Sequence, residues 1–476
     1  ESHSRASLRR RRRRYRGRGM TSIRAGIAIV GLAVFAASCT STTAPTETAV
    51  LPAADGTVAP GPSQLTTAER VYESVAPAIA AISTEIAGGS GVLIDGETVL
   101  TAAHVVWPYR VVRVVFPNGE EIQEASVVGW DPFGDLAIVD VSGAANLPSP
   151  AEIGDGEDIP LGRPVYLVGY PGESEEYPEP TITEGILSRT REWETEQWTF
   201  LQSDTTVVGG QSGGALVDEH GTVIGITNFS FLEEFGLSGS LADGASKVER
   251  MRSGEKIGGL GDRLPPLGNG TDIQTVSFDN VWEDHVFVFE APLYSDVWFE
   301  ASSDADVSLM LTTVDGLEIA SADESIDGEE TIEELITFRG PHLLRIENFS
   351  GPGDARLRSS VDLVEWLDPD DGRLLTRDTT ITGNADYPGD FDWYLVDLGK
   401  GQSITIDVDM IAFDAVLMVD GPEGLGYVLA LDDDSGGGLF GTNPRIVFTA
   451  TETGTYFVIV ADSGSTGPGA YRLTVD

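Results

Sequence analysis

Cysteine is almost absent from this sequence. There is one in 476 residues, Cys39, so no intramolecular disulfide can form. Lysine is nearly as scarce, with only Lys247, Lys256 and Lys400. From Cys39 onward, 20 Lys and Arg face 75 Asp and Glu, a net charge of −55. Such a chain lacks the basic footprint that phosphate backbones require, which argues against a nucleic-acid partner. The acidity fits a saline habitat, cation binding or plain solubility, and the sequence does not choose among them. A long apolar run is also missing. AGIAIVGLAVFAA has 13 residues, short of the ~20 that a membrane-spanning helix needs.

That short run has a clear context. Residues 1–19 carry nine Arg and no apolar stretch, and read as a basic leader or an extended reading frame. Met20 is the better start, with a charged opening, the apolar run and then Ala36-Ala37-Ser38-Cys39. Residues 1–38 are therefore read as leader and signal peptide. The small residues before Cys39 resemble a bacterial lipoprotein box, although Ala36 stands where Leu is usual. The expectation is acylation of Cys39 and a lipid tether to the outer face of a membrane. The alternative is an ordinary signal peptide and a secreted product.

A chain this long predicts several domains. Residues 39–65, rich in Ser, Thr, Ala and Pro, read as a flexible linker. TTAERVYESVA at Thr66 predicts a short helix ended by Pro77. Short strands with frequent turn signals follow to about residue 240, and LADGASKVERMR predicts a helix over Leu241–Arg252. Residues 66–253 thus form one all-β domain. Residues 254–270 are Gly- and Pro-rich with no apolar stripe, which predicts a linker crossed by few contacts. The remainder repeats itself. EDHVFVFE at Glu283 aligns with DFDWYLVD at Asp390, and GPHLLRIEN at Gly340 with GTYFVIVAD at Gly454. This predicts two β-sandwiches, 271–364 and 365–476.

Chemistry centres on VVGGQSGGAL, Val207–Leu216. Ser212 lies among four glycines, a setting that exposes a hydroxyl and lets backbone N–H groups converge on one spot. Alone, the string also fits a Gly-rich hairpin turn. A nucleophilic Ser needs a base and an orienting acid. His104, in TAAHVV, and Asp135, in GDLAIV, precede it by 108 and 77 residues. Asp131 and Asp140 are the other acids nearby, and His220 reads as a solvated turn residue.

TAAHV, DLAIV and GGQSGGAL resemble the motifs of trypsin-like serine proteases, closest to the HtrA-type branch. The resemblance covers about Thr66–Arg252. It implies a double β-barrel with His104 as general base, Asp135 as orienter and Ser212 as nucleophile. It further implies an oxyanion hole from the N–H groups of Gly210 and Ser212. Gln211 stands where Asn or Asp is usual, and no PDZ domain follows the barrels. Thr206, Thr227, Asn228 and Phe229 would line the specificity pocket. No acid falls at its base, which favours small or medium apolar side chains over Arg or Lys. The implied partners are protein or peptide substrates, with no cofactor for the chemistry. The alternative is a catalytically silent barrel pair acting as a surface binding protein.

The tail copies resemble bacterial pre-peptidase C-terminal domains, the second more than the first. Asp432-Asp433-Asp434 with Asp390 and Asp392 is a candidate Ca²⁺ group in that module. A solvated acidic loop is the alternative.

Overall fold

The computed structural model describes residues 65–256 and 274–476, except 86, 108, 155–158, 173–178, 194–197, 232–234, 315, 324–327, 388, 411–413, 423–425, 439–440, 463–468 and the side chains of 229–231. Cys39, the leader and most of both linkers lie outside the described residues. Among those described, no helix is long and apolar enough to cross a membrane.

Helix α1 (Thr67–Val75) opens the described chain. Its start is set by a capping box. Glu69 N–H donates to Thr66 Oγ1 at 3.2 Å, and Thr66 N–H donates to Glu69 Oε2 at 2.6 Å. Val71 and Val75 are its buried residues. Six strands follow, β1 (Ile79–Ser83), β2 (Gly88–Leu93), β3 (Thr98–Thr101), β4 (Val111–Val115), β5 (Glu121–Asp131) and β6 (Leu136–Asp140). They close into a barrel in the order β1-β2-β3-β6-β5-β4. Between β3 and β4 lies the one-turn helix α2 (Ala103–Val106).

The second barrel comprises β7 (Pro164–Gly169), β8 (Thr181–Trp193), β9 (Trp198–Ser203), β10 (Ala215–Asp218), β11 (Val223–Phe231) and β12 (Phe235–Ser240). It closes in the order β10-β11-β12-β9-β8-β7. Closure removes the unpaired edges that would otherwise invite aggregation. Helix α3 (Leu241–Arg252) then crosses back to the first barrel. Ser240 caps it, and its buried Lys247 reaches Asp131 at 2.5 Å.

Each tail copy is a sandwich of a four-stranded and a five-stranded sheet. The first spans β13 (Gln274–Phe278) to β21 (Val364–Trp366), and the second β22 (Arg373–Leu375) to β30 (Gly469–Val475). Strand order repeats from one to the other, apart from the fifth strand of the larger sheet, which is β21 in one and β22 in the other. Trp366 pairs with Val286, so the first sandwich runs past residue 364.

The tail does not stand apart from the barrels. Val286, Val288, Leu343, Tyr387 and Ala470 join one apolar cluster with barrel residues. Trp193 Nε1–H donates to Asp409 Oδ2 at 2.9 Å. Arg472 lies over the Phe133 ring at 5.6 Å. The linker composition predicted few such contacts. Composition describes the connecting segment, whereas contact depends on apolar faces brought together by the fold.

Candidate active site

His104 follows directly from the apolar strand β3. Val99 and Leu100 are buried in the barrel, and Ala102 and Ala103 continue that burial into α2. The turn leaves the His104 side chain 42% exposed, at the barrel surface. Asp135 sits just before β6, 4% exposed, with φ +47°. That left-handed conformation is one Asp tolerates better than most residues. It turns the carboxylate onto His104 by two contacts. His104 N–H donates to Asp135 Oδ1 at 3.0 Å, and the ring Nδ1 meets Oδ2 at 2.8 Å. The pairing places the Nδ1 proton towards Asp135 and leaves Nε2 for other work.

The other two acids are engaged elsewhere. Asp131 is buried, paired with Lys247, and accepts the Gly134 N–H at 3.1 Å. Asp140 is exposed and accepts the Ser142 N–H at 2.8 Å. His220 lies in the β10–β11 turn with its side chain 75% exposed.

Burial disfavours the charged form of His104, but the Asp135 charge and hydrogen bond outweigh it. The imidazole is held above the ordinary histidine range.

Ser212 comes from the second barrel, on the loop before β10. Contacts to the first barrel fix that loop. Ser90 N–H donates to Ser212 O at 2.7 Å. The buried Ser90 hydroxyl donates to Gly210 O at 2.8 Å and accepts the Tyr170 N–H at 2.8 Å. Gly213, at φ +82°, is wedged so tightly that a Cβ would collide with Ser90 O and Thr101 Oγ1. Thr101 lies three residues before His104, so the tight packing holds the Ser loop against the strand that delivers the His. Ser212 Oγ–H donates to Asn228 O at 3.0 Å. Among the described residues, no hydrogen bond joins it to His104.

Gly210, at φ +89°, has the same kind of constraint, since a Cβ there would strike the Gly172 backbone. Neither the Gly210 nor the Ser212 N–H donates to another group among the described residues. Gln211 closes the loop from within. Its Oε1 accepts the Val208 N–H at 2.9 Å, and its Nε2 donates to Thr181 Oγ1 at 3.2 Å. Its side chain matters here, as well as its N–H.

The expected pocket wall needs correction. Thr206 is exposed, but Thr227 and Asn228 have no exposed surface. Gly213 N–H donates to Thr227 O at 2.6 Å, and the Thr227 side chain lies inside the barrel. Asn228 points away from any pocket. Its Nδ2 donates to Asp135 O at 2.9 Å and Asp135 Oδ2 at 3.0 Å, and its Oδ1 accepts the Gly239 N–H at 2.6 Å. The Phe229 side chain lies outside the described residues. Asn228 therefore touches both ends of the constellation, the Ser through its carbonyl and the Asp through its amide. Residue type alone carried no signal for this, because it depends on β11 meeting the loop that holds Asp135.

Known proteins resemble two parts of this chain. Residues 89–226 match the family model of the trypsin-like peptidase domain, and residues 390–462 that of the bacterial pre-peptidase C-terminal domain. The chain is 32% identical over 175 residues to the serine protease Do-like HtrA of Lactococcus lactis, covering 34% of this chain and 40% of that protein. It is 34% identical over 143 residues to the periplasmic serine endoprotease DegP of Escherichia coli, covering 29% of each. The chain thus spans well under half the length of these relatives. The solved serine endoprotease of Yersinia pestis matches at 29% identity and a TM-score of 0.35, over 40% of this chain and 68% of that one. This chain carries a trypsin-like peptidase domain followed by a bacterial pre-peptidase C-terminal domain.

Proposed function

We propose that the barrel pair is a serine endopeptidase in which His104, Asp135 and Ser212 act as a triad. The observation that carries this is the buried Asp135 carboxylate holding the His104 ring by Nδ1, at 2.8 Å, beside a Gly-bounded Ser. In the resting arrangement Ser212 Oγ–H rests on the Asn228 carbonyl. Rotation about its side-chain bond brings it to His104 Nε2 when substrate arrives, as catalytic contacts often tighten only on binding.

The reaction follows from the residues. Neutral His104 takes the Ser212 proton as Oγ attacks the scissile carbonyl. Asp135 keeps the tautomer and stabilises the imidazolium. Negative charge developing on the carbonyl oxygen is met by the Gly210 and Ser212 N–H groups. Collapse releases the amine, protonated by His104, and leaves an acyl-Ser212 that water hydrolyses. The substrates this reaction takes are proteins or peptides.

A serine-directed phosphonate tests the chemistry. It should label Ser212 in the wild type and fail in Ser212→Ala and His104→Ala. Both variants should lose proteolysis by about 10⁴-fold or more, because the triad acts as a unit. His220→Ala should keep full activity. Undiminished casein hydrolysis by Ser212→Ala sinks the proposed triad, and a wild type that neither takes the label nor hydrolyses casein favours a binding role for the barrels.

We also propose export, with acylation at Cys39 tethering the enzyme to the outer face of a membrane. The signal-like segment and the solitary Cys at its end support this. Cys39→Ala should move the protein from the membrane fraction to the soluble one. A wild type already soluble with a free thiol leaves simple secretion.

A further inference from the structure

Strand β24 (Phe391–Leu398) alternates, with every second side chain buried. The inward row is Asp392, Tyr394, Val396 and Leu398. A carboxylate heads an otherwise apolar row, only 1% exposed. Two more acids converge on it from the segment joining the two sandwiches, Asp368 and Asp370. One oxygen from each of the three lies within 4.8 Å of the others. Further carboxylates crowd the same region, Asp390 at 3% exposure among them.

Burying a carboxylate requires a compensating partner. The partners present fall short. Arg373 pairs with Asp370 Oδ1, and the Tyr471 hydroxyl donates to Asp392 Oδ2. Arg345 answers Asp284 and Glu347 on the neighbouring sandwich. Among the described residues, no ion pair reaches Asp368 or Asp392. Asp392 Oδ1 is fully buried and receives no hydrogen bond at all. So is Asn384 Oδ1, an amide oxygen on the residue whose N–H donates to Asp370 Oδ2 at 3.0 Å. Asp368 Oδ1 accepts the Asp370 N–H at 2.7 Å, but a buried carboxylate oxygen left without a donor among other carboxylates, as Asp392 Oδ1 is, is what the ligand set of a hard cation presents.

We propose that Asp368, Asp370 and Asp392 form a Ca²⁺ site at the junction of the two sandwiches. The ligands are all oxygen, carry three formal charges and come from two separate segments, a joining segment and a strand. Such a set suits a large cation of flexible coordination better than Mg²⁺, which demands close octahedral geometry and keeps its waters. Binding fastens the joining segment to β24 and relieves the repulsion. The site differs from the one the sequence suggested. Asp432 is half-buried and spends its carboxylate on Ser435 and the Arg445 N–H.

The test uses the full chain, stripped with chelator and titrated with CaCl₂ in a calorimeter and in thermal melts. One binding event is expected, with a rise in Tm. Asp368→Asn should weaken binding at least tenfold. Asp432→Asn should bind as the wild type does. Asp370→Asn gives a second reading should the first variant misfold. No heat and no Tm rise at millimolar Ca²⁺ overturns the proposal. An unchanged response in both Asp368→Asn and Asp370→Asn overturns it too, because the ion then lies elsewhere. A Tm rise with Mg²⁺ equal to that with Ca²⁺ overturns the assignment to Ca²⁺.

Discussion

Replacing Asn228 by Ala tests whether this buried amide orients the proposed catalytic acid. The substitution deletes two donor contacts to Asp135 and the acceptor for the Gly239 N–H, all inside the barrel. It leaves the Asn228 carbonyl, and so the resting contact of Ser212, in place. Two groups lose their only Asn partner, the Gly239 N–H and the Asp135 carbonyl. At about 1–3 kcal/mol for each buried group left unsatisfied, the loss is roughly 2–6 kcal/mol. For a domain of this size each kcal/mol lowers Tm by about 2–4 °C, so a drop of at least about 4 °C is expected. The effect on chemistry is separable. With one donor fewer, the Asp135 carboxylate attracts the imidazolium more strongly and the His104 pKa rises. The acid limb of the kcat/KM profile should therefore move to higher pH, at a temperature where the variant is folded. Asn228→Asp should be worse on both counts, since it sets a second carboxylate against Asp135. The assays are thermal melts and peptide hydrolysis from pH 5 to 9. A wild-type acid limb together with a wild-type Tm would refute the assigned role.

Three further outcomes are expected. For the wild type, kcat/KM should rise with pH through a midpoint above the ordinary histidine value of about 6.5, because Asp135 raises His104 and only the neutral ring accepts the Ser212 proton. The same raised pKa means that the His104–Asp135 pair stabilises the fold fully below about pH 6.5 and loses that contribution as pH climbs past the folded value; melts across this range check the sign. Gly210→Ala should cut kcat by about 10²–10³-fold, the cost of losing an oxyanion donor, as the loop shifts to admit the Cβ; unchanged kcat would remove the Gly210 N–H from the mechanism. A chain ending at Gly254 should lose stability relative to the full protein, since it uncovers Phe133 and Trp193, which Arg472 and Asp409 contact; an equal barrel-domain Tm in both would show that these contacts contribute nothing.

Much of this protein is set by local sequence. Helix α1 is legible because Thr66 and Glu69 satisfy each other's backbone within three residues, and α3 because Ser240 caps an uninterrupted run. The two sandwiches are legible because each must bury an alternating face, and that need stamps the same pattern twice. His104, Asp135 and Ser212 stand out because each sits in short apolar or Gly-rich surroundings that polar groups otherwise avoid. Tertiary structure decided everything that depends on which strands meet. Asp135 rather than Asp131 faces His104 because Lys247, on a helix 116 residues later, occupies Asp131. Asn228 turns inward to Asp135, not outward to a pocket, because β11 of one barrel meets the loop of the other. The tail folds against the barrels because apolar faces far apart in the chain match. Asp368, Asp370 and Asp392 come together across a chain turn that no spacing rule describes. Interactions closed within a few residues write themselves into composition and period; those closed across the chain are fixed only when the backbone has brought them within a few ångströms.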